Sequence, residues 1–166
     1  MKKLTKSMIF SFVIVCSFFF LSMKTKANTI NKIDMDIYID NYGNAFVTEM
    51  WDTYLYQGTE GYKSYTNLGN KTITNFSVTD DTNREYTYLS YWNTNSSFDN
   101  KAYKNGINYT SNGLELCWGI SNYGSRIYTL KYTINNFVTK YTDTQGIYFN
   151  LLNLDQRSEE HTSELQ

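Results

Sequence analysis

The chain has 166 residues, with 15 Lys and Arg against 16 Asp and Glu, a single His, no Pro and a formal net charge of −1. That length suits one domain. The absence of a cationic surplus or basic run excludes the electrostatic footprint on which nucleic-acid binding depends.

The first 27 residues, MKKLTKSMIFSFVIVCSFFFLSMKTKA, have the build of a secretory signal peptide helix. Lys2, Lys3 and Lys6 precede an apolar run from Met8 to Leu21, and Thr25 and Ala27 supply small side chains at the −3 and −1 positions of a cleavage site. The run falls short of the ~17–25 residues of a membrane-spanning helix. Val15 stands before Cys16 where a lipobox needs Gly or Ala, so Cys16 belongs to the apolar run. Cleavage after Ala27 predicts an exported protein whose remaining cysteine, Cys117, has no disulfide partner within the chain. Between Asn28 and Gln156 there are 9 basic and 13 acidic residues, a net charge of −4 that also disfavours anionic surfaces.

From Ile33 the pattern has a period of two. Ile33, Met35, Ile37 and Ile39 alternate with Asp34, Asp36, Tyr38 and Asp40, which predicts a strand with one buried face. Asn41 to Asn44 turns the chain into a second strand, Ala45 to Tyr56. Its inward face is ambiguous, because Val47, Trp51 and Leu55 compete with Phe46, Met50 and Tyr54. A loop with Gly58, Gly61 and Gly69 is expected to follow, then strands near Ile73 to Val78 and Glu85 to Tyr91, with a long loop or one helical turn between Asn93 and Gly106. INYTSNGLELCWGI predicts a hairpin around Asn112-Gly113, with Leu114, Leu116, Trp118 and Ile120 inward. Tyr128, Leu130, Tyr132 and Ile134 repeat the alternation, and a last strand is expected from Gly146 to Leu152. Strands of this length and spacing predict an all-β fold, an antiparallel, immunoglobulin-like β-sandwich.

IDMDIYIDNYGNAFVTEMWDTYLYQGTEGYKSYTNL with ITNFSVTD, and later NGLELCWGISNYGSRIYTLKYTINNFVTKYTDTQGIYFNLLN, resemble the N-terminal domain of the YciQ-like family of bacterial membrane proteins of unknown function. The resemblance runs from about Ile33 to about Gln156. It implies an extracytoplasmic β-rich domain, residues 28–156, followed by transmembrane helices, and it carries no catalytic motif. This chain departs from the family after Gln156. RSEEHTSELQ, residues 157–166, resembles an in-frame translation of a sequencing-library adapter, so the domain is read as truncated and this tail as non-native. Truncation would leave Ile147 to Leu152 as an unpaired edge.

His161, the only histidine, lies in that tail, so no imidazole remains for triad catalysis or a His–Cys zinc site. Cys117 lies out of phase with Leu116 and Trp118 and reads as an inert buried thiol. Asp34, Asp36 and Asp40, joined by Asp99 or Asp143, would be oxygen ligands for calcium, against the plainer reading of a solvated face. Glu49 with Glu115 would be the carboxylate pair of a glycoside hydrolase if ~5–9 Å apart in a cleft. Trp118 reads as core; Trp92, beside Tyr91, is the candidate exposed aromatic of a binding surface. No catalytic residue, cofactor or metal is assigned. The expected function is a non-catalytic interaction or assembly module on the outer face of the cell membrane. Its partner would be a protein or the cell wall, and it would be attached through the signal segment or through transmembrane helices beyond Gln156. The alternatives are a carbohydrate-binding module for wall glycans and a carboxylate-based hydrolase.

Overall fold

The structure, a computed structural model, describes residues 26–151. The tail and all but the last two residues of the signal segment lie outside the described residues.

The alternating segments form two four-stranded sheets packed face to face, the predicted β-sandwich. The first sheet runs β1 (Thr29–Ile39), β2 (Ala45–Leu55), β8 (Gly124–Asn135), β4 (Thr72–Asp80) and is antiparallel throughout. The second runs β3 (Glu60–Thr66), β7 (Gly113–Gly119), β6 (Lys104–Thr110), β5 (Thr87–Leu89), with only the β5–β6 pairing parallel. A one-turn helix, α1 (Phe98–Lys101), lies between β5 and β6, as the break in alternation there predicts. Thr139–Lys140 (β9) and Gln145–Gly146 (β10) make a small hairpin.

The ambiguity in β2 resolves in favour of Val47, Glu49, Trp51, Thr53 and Leu55, all buried. Tyr128, Leu130, Tyr132 and Ile134 share that inner face from β8, and Leu114, Leu116 and Trp118 answer from β7. Each fully buried large apolar side chain contributes about 1.5–3 kcal/mol of transfer free energy. In β4 the register shifts between Thr74 and Ser77, where Asn75 takes a left-handed φ of 56°. This bulge turns Phe76 inward with Ile73 and Val78.

Three local expectations change. The stretch expected as a loop with Gly58, Gly61 and Gly69 holds β3, whose residues Glu60–Thr66 pair with β7. The turning residues of the β6–β7 hairpin are Ser111-Asn112, since Thr110 pairs with Gly113. Gly113 serves close approach instead: a Cβ there would lie 1.9 Å from the Tyr65 carbonyl oxygen. The last predicted strand is confined to Gln145–Gly146. Beyond it Phe149 and Leu151 pack against the core without a ladder, Phe149 against the rings of Tyr65 and Phe137. The expected unpaired edge is therefore an irregular segment in which Phe149 and Leu151 face the core while Ile147 and Tyr148 are exposed; Leu152 lies outside the described residues.

Candidate functional site

β1 and β3 are terminal strands on the same side of the sandwich, because Lys63 of β3 reaches Glu49 of β2, the neighbour of β1. Between them opens a pocket of about 560 Å³, lined by Ala27–Ile30, Trp51, Thr53, Leu55, Glu60–Tyr62, Trp118, Ile120 and Tyr128. Strand register builds its floor. Trp51 stands beside Tyr128 across the β2–β8 ladder. Trp118, opposite Gly61 in the β3–β7 ladder, packs edge-on to Trp51 with ring centres 5.5 Å apart and lies 5.8 Å from Tyr128. Gly61 makes room for that indole, since a Cβ there would stand 2.6 Å from Trp118 Cε2 and Cζ2. The Trp118 Nε1–H and the Tyr128 hydroxyl are both buried without a hydrogen-bond partner, a situation that costs about 1–3 kcal/mol per group. Burial pushes the Tyr128 phenol pKa up, so it stays neutral and able to donate.

Beside the pocket, the segment from Trp92 to Lys101 straps the outer face of the second sheet. Glu60 Oε2 accepts from Trp92 Nε1 at 2.7 Å and pairs with Lys101 Nζ at 2.8 Å. The ammonium also donates to Thr59 Oγ1 at 3.0 Å and to the Thr94 carbonyl. Gly119 lets the strap close, because the Lys101 carbonyl oxygen lies 1.8 Å from where its Cβ would be.

Trp92, the candidate exposed aromatic of a binding surface, is 3% exposed. Its ring covers Gly106, whose Cβ would stand 3.2 Å from Trp92 Cε3, and its N–H is spent on Glu60. Tyr91 is 77% exposed but stands without Trp92, so the two make no shared platform. The exposed aromatics that do pair lie on the outer face of the first sheet: Tyr38 with Phe46 at 6.1 Å, and Tyr54 with Tyr56 at 4.7 Å.

Glu49 and Glu115 do not form a catalytic pair. Glu49 is fully buried on the inner face of β2, whereas Glu115 lies on the opposite face of β7 from Leu114 and Leu116, held by Asn108 Nδ2 at 2.7 Å. Glu49 Oε1 takes Lys63 Nζ and the Tyr132 hydroxyl, and its Oε2 accepts from Trp51 Nε1 at 2.7 Å. Tyr65 donates in turn to Tyr132. Lys63 is 2% exposed, and desolvation lowers its pKa against the raising pull of Glu49. This is an ion pair inside the sandwich with every carboxylate oxygen occupied.

The calcium grouping also fails to assemble. Asp34 pairs with Lys32 at 2.7 Å, and Asp40 caps its own turn by accepting from the backbone N–H of Tyr42 and Asn44. Among the described residues no three acidic, His or Cys side chains converge. Cys117 is fully buried and its pKa is raised, chiefly by desolvation, which leaves it protonated and unreactive at neutral pH.

Alternation could have exposed Glu49, which shares a parity with Val47, Trp51 and Leu55; the rival apolar parity of Phe46, Met50 and Tyr54 masked it. Glu60 and Lys101, 41 residues apart, carried no local signal. Comparison with family models, with curated proteins and with solved structures finds no match. The fold defines an all-β sandwich, and the site must be read from its own chemistry.

Proposed function

We propose that the protein is a non-catalytic interaction module working outside the cytoplasm, and that it engages its partner through the open side between β1 and β3. One observation carries this reading: an apolar pocket of about 560 Å³ on that side, walled by Trp51, Leu55, Trp118, Ile120 and Tyr128 with Thr29 and Thr53 among its polar residues. Ligand sites have this composition, a mostly apolar wall with a few polar groups that fix orientation. The carboxylates bordering or underlying the site are engaged already, Glu60 by Lys101 and Trp92 and Glu49 by Lys63, Tyr132 and Trp51. Attachment to a membrane, as the family resemblance implies, belongs to the same proposal.

A second reading, binding of wall glycans, is favoured by the paired exposed aromatics Tyr38–Phe46 and Tyr54–Tyr56, since flat rings stack on sugars.

The purified full chain is offered a phage-displayed random peptide library and, separately, insoluble cell-wall glycan. Selection of peptides without release of reducing ends is expected. Retention on the glycan, lost in Tyr54→Ala, would replace the reading with the second one, and release of reducing ends would overturn its non-catalytic part.

A further inference from the structure

We infer that the outer face of the first sheet is an interface between two copies of this chain, stacked face to face about a two-fold axis that runs along β2. The surface and the partner both differ from those of the pocket between β1 and β3.

The chemistry of β2 asks for a cover on both sides. Its inward residues Val47, Glu49, Trp51, Thr53 and Leu55 are buried inside the sandwich. Its outward residues Phe46, Met50 and Tyr54 are apolar as well, yet remain 40–47% exposed. A strand with one wet face alternates apolar with polar, whereas a strand apolar on both parities has the pattern of one covered on both faces. Register extends the patch onto the neighbouring strands. Tyr38 of β1 stands beside Phe46, and Ile127 of β8 stands beside Asp52, both exposed on the same face. Single apolar residues on a surface are ordinary, but a connected group on one face marks a place of contact.

Charge selects a second copy and sets its orientation. At the middle of the face Asp36 of β1, Thr48 of β2 and Lys131 of β8 lie level in one row. Asp36 and Lys131 are exposed, stand two strands apart, and enter no ion pair among the described residues. A two-fold axis along β2 exchanges left and right, so β1 of one copy lies over β8 of the other. Asp36 then meets Lys131 of the second copy at the same level, and symmetry makes the contact twice. Phe46 and Met50 lie near the axis and meet their own counterparts. A two-fold axis across the strands through the same row would instead set Asp36 against Asp36 and Lys131 against Lys131. The first arrangement is self-complementary, as an isologous dimer requires. Asp52, beyond Met50 from the central row, is held by Asn31 at 3.1 Å, and the roughly 30° crossing of stacked sheets carries the two copies apart towards that end.

Size sets the affinity. Four strands about 4.8 Å apart, with the 11 residues of β2 rising about 3.3 Å each, make a face of roughly 600 Å². Specific interfaces bury about 600–1,000 Å² per partner, so this face stands at the lower end and suits a dimer that forms in the micromolar range. A glycan stacked here would account for the rings alone. Opposite charges at one level on either side of β2 are matched by a partner carrying the same pair reversed.

The test is sedimentation velocity of the full chain over a concentration series, with charge reversals. Wild type is expected to pass from monomer to dimer as its concentration rises. Lys131→Asp and Asp36→Lys each bring like charges together twice, and each is expected to weaken the dimer at least about tenfold. The double variant, Asp36→Lys with Lys131→Asp, restores the match and is expected to return to within about threefold of wild type. Tyr91→Ala, exposed beyond β5 of the second sheet, is expected to change nothing. In wild type mixed from ¹⁴N and ¹⁵N copies, a carbodiimide is expected to join Asp36 of one copy to Lys131 of the other. That crosslink decides the matter should a variant fail to fold. A chain that stays monomeric up to about 100 μM, a dimer indifferent to both single reversals, or a double variant as weak as the singles overturns the inference while the pocket reading stands. Retention of monomeric chain on wall glycan, lost in Tyr54→Ala, overturns it too and gives this face to the sugar.

Discussion

Among the described residues two Lys–Glu pairs involve a buried lysine, and they are unlike. Lys63–Glu49 spans the two sheets in the dry centre of the sandwich, with neither side chain more than 2% exposed. Lys101–Glu60 fastens a loop to the outside of one sheet, where the Glu60 side chain keeps 18% of its surface accessible. The inner pair can be tolerated only because a complete set of partners surrounds it: Trp51, Tyr132 and, through Tyr132, Tyr65. The outer pair is satisfied by one side chain and its loop neighbours and can fall back on water. The same chemistry therefore fixes how the sheets face each other in one place and how firmly a strap is shut in the other.

The largest expected effect acts through the buried tyrosines, two of which, Tyr65 and Tyr132, belong to the inner network. Burial raises the phenol pKa of Tyr65, Tyr128 and Tyr132, and pushes Tyr86 up to about 12 from an ordinary 10.0. Above pH 10 the unfolded chain releases these protons and the folded chain keeps them, so stability is intact below pH 10 and falls as pH rises beyond it. Each group contributes about 1.4 kcal/mol per pH unit. Lys63 does not offset this at the upper end, because above its ordinary value of 10.5 it is neutral whether folded or unfolded. Against a typical domain stability of about 5–15 kcal/mol, circular-dichroism melts should show unfolding within one or two pH units above 10. A melting temperature flat to pH 12 would contradict the burial of these tyrosines.

Next in size, Lys63→Met alone is expected to cost about 3–5 kcal/mol in urea unfolding, because it strands the buried Glu49 carboxylate. Glu49→Met combined with Lys63→Met should recover most of that loss. If the double variant is no more stable than the single, stranded charge is not the cause. Lys101→Met is expected to cost less, about 1–3 kcal/mol, since Glu60 can be hydrated. Equal losses from the two lysine substitutions would erase the distinction between the pairs. At the small end, Tyr91→Ala should change stability by less than about 0.5 kcal/mol, whereas Trp92→Ala should cost about 3–5 kcal/mol; the same measurement on neighbouring residues separates the exposed side chain from the buried one.

Much of the fold was legible because a period of two needs only local counting. Leu114 to Trp118 and Tyr128 to Ile134 announced their inward faces, Ile33 to Ile37 did so for a half-buried face from which Ile39 escapes, and the weak pattern between Asn93 and Gly106 announced the irregular strap with its helical turn. Counting failed where both parities were apolar, as in β2, and where a strand signal lacked a neighbour to pair with, as after Gly146. The site was far less legible. Trp118 and Tyr128 were correctly placed in the core, yet nothing local says that their polar atoms end up without partners. That depends on Gly61, 57 residues before Trp118, giving space to the indole. The packing of Trp92, a candidate for exposure, was hidden for the same reason: its burial is decided by Gly106 and Glu60, neither adjacent in sequence.

Asn28 draws one more consequence from the pocket rim. Its side chain accepts from the backbone N–H of Tyr56 and Gln57 and donates to the Gln57 carbonyl, binding the start of β1 to the loop after β2. On the export reading, the bond to be cut lies immediately before it, between Ala27 and Asn28. A peptidase that needs its substrate stretched through a cleft must finish before this corner folds, so maturation and folding would run in a fixed order. Asn28→Ala should then lengthen the period in which the precursor can still be processed, and a pulse-chase of the two precursors would reveal it.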